Sequence, residues 1–333
     1  MQAAPDAFRS RYGKLVDFSS ERLCVNSLLR WLAPLTIGLF LTSALSRPTQ
    51  AAPQSPFRWA ADVPLLACDG LPCIEALVDG EKVHLLIDTG NQASVLDTVG
   101  AKKIGLKPYS PSQPNWPKDI FRATIPSLSI GPLRLSGLRI LTMGVSDMIA
   151  QNQMPHADGA LAYTAFKDRA VQLDFHSRRF RISEVISNAP PCTGACDTFS
   201  LITFGKNGPP IIVANGFTIN GHPLTAQIDT QYSGSLLVYT ASIDKLGLSA
   251  AAKTTDVTLF PYTDGGVKMK LAPAQNESFH GLSLAASHPL VYFPTAGVHE
   301  PDALFDATVG IGLLGDTILT LDFHNSTVSV QKG

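Results

Sequence analysis

Two aspartates end apolar, strand-like runs in the two halves of this sequence, and a threonine follows each of them. The first run reads Leu85-Leu86-Ile87-Asp88-Thr89-Gly90, and the second reads Ala226-Gln227-Ile228-Asp229-Thr230-Gln231. Two carboxylates held a few ångströms apart share one proton, because like charges at that distance resist ionising together. One carboxylate then acts as a general base toward water and the other as a general acid. The pattern therefore suggests one site built from both halves, with Asp88 and Asp229 facing each other.

The surroundings of the two aspartates are duplicated as well, which sets the architecture. The turn signals Asp79-Gly80 and Asn220-Gly221 precede the two runs at the same distance. Further along, residues 158–176 align without gaps on residues 306–324, so that Asp158 falls on Asp306. A repeat this long is too long for a solenoid and predicts two similar lobes. The recurring aspartates outside the pair are expected to bond to turn and strand backbone.

Composition narrows the class of protein. The chain has 333 residues, 45% hydrophobic and 16% charged, which describes a globular protein with a substantial core. A net charge of −1 gives no electrostatic support to a nucleic-acid partner. The 24 prolines and 26 glycines lie between short β-branched and leucine-rich runs, which favours a mostly β fold. Strands are expected at residues 74–78 and 83–87, and a hairpin is expected to turn at Gly131-Pro132.

The first 52 residues read as a targeting segment rather than as fold. Arg22 and Arg30 precede an uncharged apolar stretch from Trp31 to Ser46, and the region before it is unusually long. The stretch is short for a membrane span and suits a secretory signal peptide, with an uncleaved signal anchor as the alternative. The body of the protein is then expected outside the cytoplasm, in the periplasm or secreted. The remaining divisions are a linker at 53–60, a first lobe at 61–187, an inter-lobe linker at 188–198 and a second lobe at 199–333.

Four cysteines remain after the targeting segment, in two close pairs. Cys68 and Cys73 lie near the start of the first lobe, and Cys192 and Cys196 lie near the start of the second. An even number of cysteines in an exported protein reads as disulfides. Local pairing within each couple is the favoured arrangement among three possible connectivities. A four-thiolate zinc site is the rival, although the spacings suit zinc poorly. The eight histidines also lack close metal-binding spacing.

The strand-borne Asp-Thr-Gly of residues 88–90 resembles the active-site motif of the aspartic proteases, both the single-lobe retroviral type and the two-lobe pepsin type. In that family an apolar-apolar-Gly segment packs beneath each aspartate loop. Residues 158–163, Asp-Gly-Ala-Leu-Ala-Tyr, are similar to that segment in bacterial members, and residues 306–311, Asp-Ala-Thr-Val-Gly-Ile, are their counterpart. The resemblance covers most of residues 70–330. It implies two similar closed-barrel-like lobes with the active-site cleft between them.

The same resemblance implies roles for individual residues. Asp88 and Asp229 would be the catalytic dyad, and Thr89 and Thr230 would hold each other's loops beneath it. Gly90 would bring a backbone N–H close to the Asp88 carboxylate. The substrate would be an extended peptide or protein, cleaved as by an exported endopeptidase without metal or cofactor. The enzyme would act as a monomer, with membrane contact only through an uncleaved signal.

Two departures from the family pattern leave a rival open. Gln231 stands where the family has glycine or a small residue, and Ala162 stands where it has glycine. Gln231 could clash with the dyad, tilt Asp229, or turn away and contact substrate. The rival is therefore a catalytically inactive, peptide-binding protein of the same fold. A further alternative is that each lobe pairs with a lobe of another chain.

Overall fold

The computed structural model describes residues 57–109, 120–144, 156–185, 190–203, 210–247, 255–259, 267–273, 275–284, 290–294 and 304–333. The predicted signal segment at residues 1–52 lies outside the described residues, as does the first part of the predicted linker at 53–60. The described chain is mostly β, as the sequence predicts. Among the residues that the structure describes, no helix is long and apolar enough to cross a membrane.

A closed barrel of six strands forms the first lobe. The strands follow the order β3-β4-β8-β5-β7-β6, and pairing of β6 with β3 completes the circle, while β2 lies beside β3. The elements of this half are β1 (Ala61–Pro64), β2 (Leu66–Cys68), β3 (Leu71–Val78), β4 (Glu81–Ile87), β5 (Val95–Asp97), α1 (Thr98–Lys103), β6 (Phe121–Ile130), β7 (Leu133–Met143), β8 (Gly159–Leu161), α2 (Tyr163–Phe166), β9 (Ala170–Asp174) and β10 (Arg179–Ile182).

The second half repeats the strand pairings of the first. Its elements are β11 (Ala195–Thr203), β12 (Pro210–Ile219), β13 (His222–Ile228), β14 (Leu236–Val238), a 3₁₀ turn (Thr240–Ser242), β15 (Thr255–Leu259), β16 (Val267–Pro273), β17 (Ser278–Phe279), β18 (Leu282–Ser283), β19 (Leu290–Pro294), β20 (Ala307–Val309), α3 (Ile311–Leu314), β21 (Thr317–Asp322) and β22 (Thr327–Lys332). The parallel pairs β4–β8 and β13–β20 correspond, as do the antiparallel pairs β5–β8 and β14–β20. Strand β11 begins inside the predicted inter-lobe linker at 188–198.

Both aspartate-bearing strands enter through the predicted tight turns. Asp79 and Gly80 have φ values of 49° and 90°, and Asn220 and Gly221 have 51° and 79°. Positive φ at both central residues gives the turn whose twist matches that of a two-residue hairpin, which is why these Asp-Gly and Asn-Gly pairs are favoured there. The first turn sets the register of β3 with β4, and the second sets the register of β12 with β13 up to a shift between Ala214 and Phe217.

A sheet shared by both halves joins them. Its strands run in the order β1-β10-β9-β21-β22-β11, and β9 pairs antiparallel with β21 at its centre. There Gln172 lies opposite Thr320, its equivalent in the repeat, so a pseudo-twofold axis passes through this pair. Val171, Leu173 and their partners Leu319 and Leu321 are fully buried within the main core. The two lobes are therefore docked through continuous backbone pairing and a common apolar core.

Both cysteine couples are at disulfide-bonding distance in the predicted local pairing. The Cα atoms of Cys68 and Cys73 are 5.8 Å apart, and those of Cys192 and Cys196 are 6.3 Å apart. The first bridge ties β2 to β3, where Leu66 lies opposite Cys73. The second joins the segment before β11 to the start of that strand. With the sulfur atoms paired in this way, the thiolates that the rival zinc site would need are not available.

Candidate active site

Asp88 and Asp229 occupy equivalent positions directly beyond the ends of β4 and β13. The backbone N–H of Asp88 donates to the carbonyl of Leu161 in β8 at 2.8 Å, and that of Asp229 donates to Val309 in β20 at 2.9 Å. Each bond continues the parallel pairing of the preceding strand by one residue. The second segment of each repeat thus supports the aspartate loop, as the resemblance implies.

The two threonines interlock beneath the aspartates. The N–H of Thr89 donates to Oγ1 of Thr230, and the N–H of Thr230 donates to Oγ1 of Thr89, both at 3.1 Å. Each hydroxyl donates onward to a strand end of the opposite lobe, to Ile228 O at 2.9 Å and to Ile87 O at 2.5 Å. Both threonines are buried. Because hydrogen bonds strengthen away from water, this exchange holds the two loops in one relative position.

The interlocked loops bring the two carboxylates together. Asp88 Oδ1 accepts the N–H groups of Gly90 and Asn91 at 3.1 and 3.0 Å, and its Oδ2 accepts the Asn91 side-chain amide at 2.8 Å. Asp229 Oδ1 accepts the N–H of Gln231 at 2.8 Å. The Asp229 carboxylate lies directly against Gly90, since a Cβ atom there would come within 2.5 and 2.6 Å of its two oxygens. Glycine is thus the residue that lets Asp229 reach the Asp88 loop.

Burial raises the pKa of both carboxyl groups. For Asp88 the pKa rises to about 7, chiefly because the site excludes water and secondly because the Asp229 charge is near. Burial raises the pKa of Asp229 to about 6, against the backbone N–H groups of Gln231 and Tyr232, which favour its charged form. The pair therefore retains a proton in the folded protein well above the pH at which a free aspartate loses it. This is the protonation that acid–base catalysis by two carboxylates needs.

The side chain of Gln231 forms a hydrogen bond to the first lobe. Its side-chain amide crosses to the first lobe and donates to the carbonyl of Ile87 at 3.2 Å, the same oxygen that Thr230 Oγ1 contacts. Position 231 therefore accommodates a side chain beside the dyad, whereas position 90 does not. The two aspartate loops are related by the duplication but packed differently.

Ala162 is accommodated in a similar way. It is fully buried, and its N–H donates to Oγ of Ser94 at 3.0 Å. Its counterpart in the second lobe is Gly310, where a Cβ atom would overlap the carbonyl oxygens of Tyr232 and Gly234. The glycine is thus required only in the second lobe, where the aspartate loop packs more closely on this segment.

Four other recurring aspartates bond to backbone, as expected. Asp158 and Asp306 accept the N–H groups of His84 and Thr225, which are themselves equivalent in the repeat, at 2.7 and 2.8 Å. A second recurring pair is formed by Asp174, which accepts from Ser177 at 2.7 Å, and Asp322, which accepts from His324 at 2.9 Å. These carboxylates therefore hold strands and turns, and they lie apart from the dyad.

Sequence reasoning missed two residues that contact the aspartate loops. Asn91 holds the Asp88 carboxylate through its backbone and its side chain. Gln227 donates its side-chain amide to the carbonyl of Gly90 at 3.0 Å. A signal for Gln227 was present in the repeat, because this polar residue interrupts an apolar strand where the first half has Leu86.

A family model and a solved structure are similar to this chain. Residues 74–161 match the family model described as Aspartyl protease, a range that runs from β3 to β8 and contains Asp88, Thr89 and Gly90. No curated protein matches the chain. Among solved structures, the aspartic proteinase from Irpex lacteus is similar at 12% identity, with 82% of this chain and 97% of that chain covered and a TM-score of 0.43. The match to the family model supports the predicted aspartic protease family over residues 74–161.

Proposed function

We propose that this protein is an aspartic endopeptidase in which Asp88 and Asp229 activate water against a peptide bond. The observation that carries the proposal is the meeting of the buried Asp88 carboxylate with the half-buried Asp229 carboxylate, one from each lobe, between loops interlocked by Thr89 and Thr230. Groups of the same charge at close range hold one proton between them, which gives a base and an acid in a single site.

The proposed reaction follows from that shared proton. The ionised carboxylate accepts a proton from water while the water oxygen attacks the peptide carbonyl carbon. The protonated carboxyl donates to the carbonyl oxygen, and a neutral tetrahedral intermediate forms. The carboxyl group that took the proton from water then protonates the amide nitrogen, while the other carboxylate takes a proton from a hydroxyl of the intermediate. The C–N bond breaks, and the pair again holds one proton. The N–H groups of Gly90, Asn91 and Gln231 hold the carboxylate oxygens in place throughout.

The contacts of the two unusual residues favour activity over the inactive, peptide-binding alternative. Gln231 directs its amide to Ile87 O, so its polar end is engaged with the backbone that precedes Asp88. Ala162 is buried under the Asp88 loop and keeps its N–H bonded to Ser94. Neither side chain replaces a donor to the two carboxylates.

Cleavage of an unfolded protein by the purified full-length chain between about pH 3 and pH 8 tests the proposal. We expect a bell-shaped dependence, because activity needs one proton on the pair. Double protonation removes the base on the acid side, and loss of the last proton removes the acid as the pH rises through the raised pKa of Asp88, about 7. Peptide binding without cleavage at every pH would instead establish the inactive binding protein.

Export is a separate part of the proposal and rests on residues 1–52. The apolar stretch from Trp31 to Ser46 and the small residues near positions 44–46 and 50–52 support a cleaved signal peptide. N-terminal sequencing of protein recovered from the periplasm or the medium should find a start just after one of these sites. A full-length N-terminus in the membrane fraction would point to an uncleaved anchor. Since one chain supplies both aspartates, we also propose a monomer that binds an extended peptide, and sizing chromatography tests the monomer.

A further inference from the structure

Two glutamines of the second lobe bond to the backbone on either side of Asp88. The amide of Gln231 donates to Ile87 O at 3.2 Å, and the amide of Gln227 donates to Gly90 O at 3.0 Å. The first of these carbonyls immediately precedes Asp88, and the second follows the Asp-Thr-Gly motif. The loop that bears Asp88 is therefore hydrogen-bonded at both of its ends to side chains from the opposite lobe.

The orientation of the Gln227 amide is set within the second lobe. Its Oε1 accepts from the Thr308 hydroxyl at 3.4 Å, and Thr308 Oγ1 is 3.0 Å from the Tyr239 hydroxyl. With the oxygen of the amide used in this way, the NH₂ group faces Gly90. The contact is thus one end of a short hydrogen-bonded chain that runs through Thr308 in β20 to Tyr239, the residue after β14.

The hydrogen bond from Gln227 to Gly90 O affects the Asp88 carboxylate through one peptide group. The carbonyl of Gly90 and the N–H of Asn91 belong to one planar peptide group, and this N–H donates to Asp88 Oδ1 at 3.0 Å. A donor on the carbonyl fixes the plane and polarises the N–H at its other end. On the other side, Ile87 O shares a peptide group with the N–H of Asp88, which is bonded to Leu161 O. The two glutamines therefore orient the peptide group before Asp88 and the peptide group whose N–H, that of Asn91, bonds to its carboxylate.

The first lobe makes no equivalent pair of hydrogen bonds to the Asp229 loop through these two positions. The residue equivalent to Gln227 is Leu86, and the residue equivalent to Gln231 is Gly90. Neither has a side chain that can donate a hydrogen bond. The threonine exchange is reciprocal, whereas these two bonds run only from the second lobe to the first. The two lobes therefore differ in these contacts because their side chains differ at the two positions.

We propose that Gln227 and Gln231 form a glutamine clamp, a pair of positioning residues through which the second lobe orients the Asp88 carboxylate and makes the two halves of the dyad inequivalent. The kinetic part of this inference rests on the proposed protease activity, whereas the effect of the clamp on Asp88 does not. Gln231, which departs from the family pattern, thus links the loop of Asp229 to the residue before Asp88.

The test compares Gln227→Met and Gln231→Met, which keep side-chain length and lose the amide. In each variant we expect kcat to fall about 10-fold with KM changed less than about 2-fold, because the lost interaction positions the reacting groups rather than the substrate. We also expect the titration of Asp88, followed by ¹³C NMR of its carboxyl carbon, to move upward by about half a pH unit as its N–H donors loosen. Gln231→Gly, which adds no apolar bulk, should change both quantities in the same direction and replaces Gln231→Met if that variant does not fold.

Gln172→Met is the matched control. Its amide also crosses between the lobes, to Thr320 Oγ1 at 2.9 Å, but it lies in the shared sheet away from the dyad loops. This variant should lose some stability and keep the parent kcat and the parent Asp88 titration. Unchanged kcat and titration in both clamp variants, or equal changes in Gln172→Met, would overturn the inference. If the parent does not cleave peptides, the proposed function fails, and the titration alone decides whether the clamp acts on Asp88.

Discussion

Cleavage should fall about 10³-fold or more in the Asp88→Asn and Asp229→Asn variants, because each substitution removes one of the two proton-transfer groups. Asparagine has nearly the same shape as aspartate and can keep its oxygen as an acceptor for the N–H groups of the loop. Loss of activity then reports the missing carboxylate and not a collapsed site. Initial rates on an unfolded protein substrate at the parent's optimal pH measure the effect.

Asp88→Asn should also make the fold more stable at alkaline pH. Folding raises the pKa of Asp88, so the folded state favours the proton, and the stability due to this group is lost as the pH rises through about 7. The variant has no carboxyl to ionise at this position. Its free energy of unfolding should exceed that of the parent by on the order of 2 kcal/mol at pH 8. The difference should vanish toward pH 4, and denaturant titrations at the two pH values would measure it.

Asp316→Asn is the control for both measurements, because Asp316 is exposed and lies outside the dyad. Its cleavage rate and its pH dependence of stability should match the parent. Full activity in Asp88→Asn would refute the proposed mechanism. Activity lost in Asp88→Asn but retained in Asp229→Asn would indicate a site with one carboxylate, or one formed by two chains.

Gly90→Ala is expected to have the second large effect. The added Cβ atom would come within 2.5 and 2.6 Å of the Asp229 oxygens, closer than nonbonded atoms approach, so Asp229 must move. Displacement of a catalytic group by about 1 Å lowers rates on the order of 10²-fold. Crowding in a packed site also costs about 1–3 kcal/mol of stability. Cleavage kinetics and thermal unfolding of the same preparation measure the two effects.

The chain offers a matched glycine for comparison. Gly100 lies in α1, where an added Cβ atom would meet nothing within 4 Å. Gly100→Ala should keep the parent cleavage rate and gain about 0.5–1 kcal/mol of stability from its higher helix propensity. Parent-like activity in Gly90→Ala would show that Asp229 does not need its observed position.

The strands and turns that carry the aspartates could be predicted because their determinants are local. Asp79-Gly80 and Asn220-Gly221 specify tight turns, and the apolar runs after them specify strands that end at the aspartates. The hairpin expected at Gly131-Pro132 is also present, between β6 and β7. Repetition of such signals in the two halves was enough to select Asp88 and Asp229 as candidates.

The packing around the dyad could not be predicted, because it depends on how two distant segments dock. Nothing local to Gln231 indicates that its amide ends at Ile87 O, since that oxygen comes near only when the lobes meet. The sequence allowed Gln231 to clash, to tilt Asp229 or to contact substrate, and the structure has it bonded to the opposite loop instead. Gln227 was missed for the same reason, because its partner Gly90 lies in the other half of the chain.

The antiparallel pairing of β9 with β21 has a consequence for the order of folding. When the first half has been synthesised, β9 still lacks the neighbour that it has in the native sheet, and this neighbour comes from the C-terminal end of the chain. Until then the nascent protein presents an open strand edge, the kind of surface that pairs with other chains and leads to aggregation. Pairing between such distant segments also slows folding. The pairing that unites the lobes thus leaves one edge of β9 open until β21 has been made.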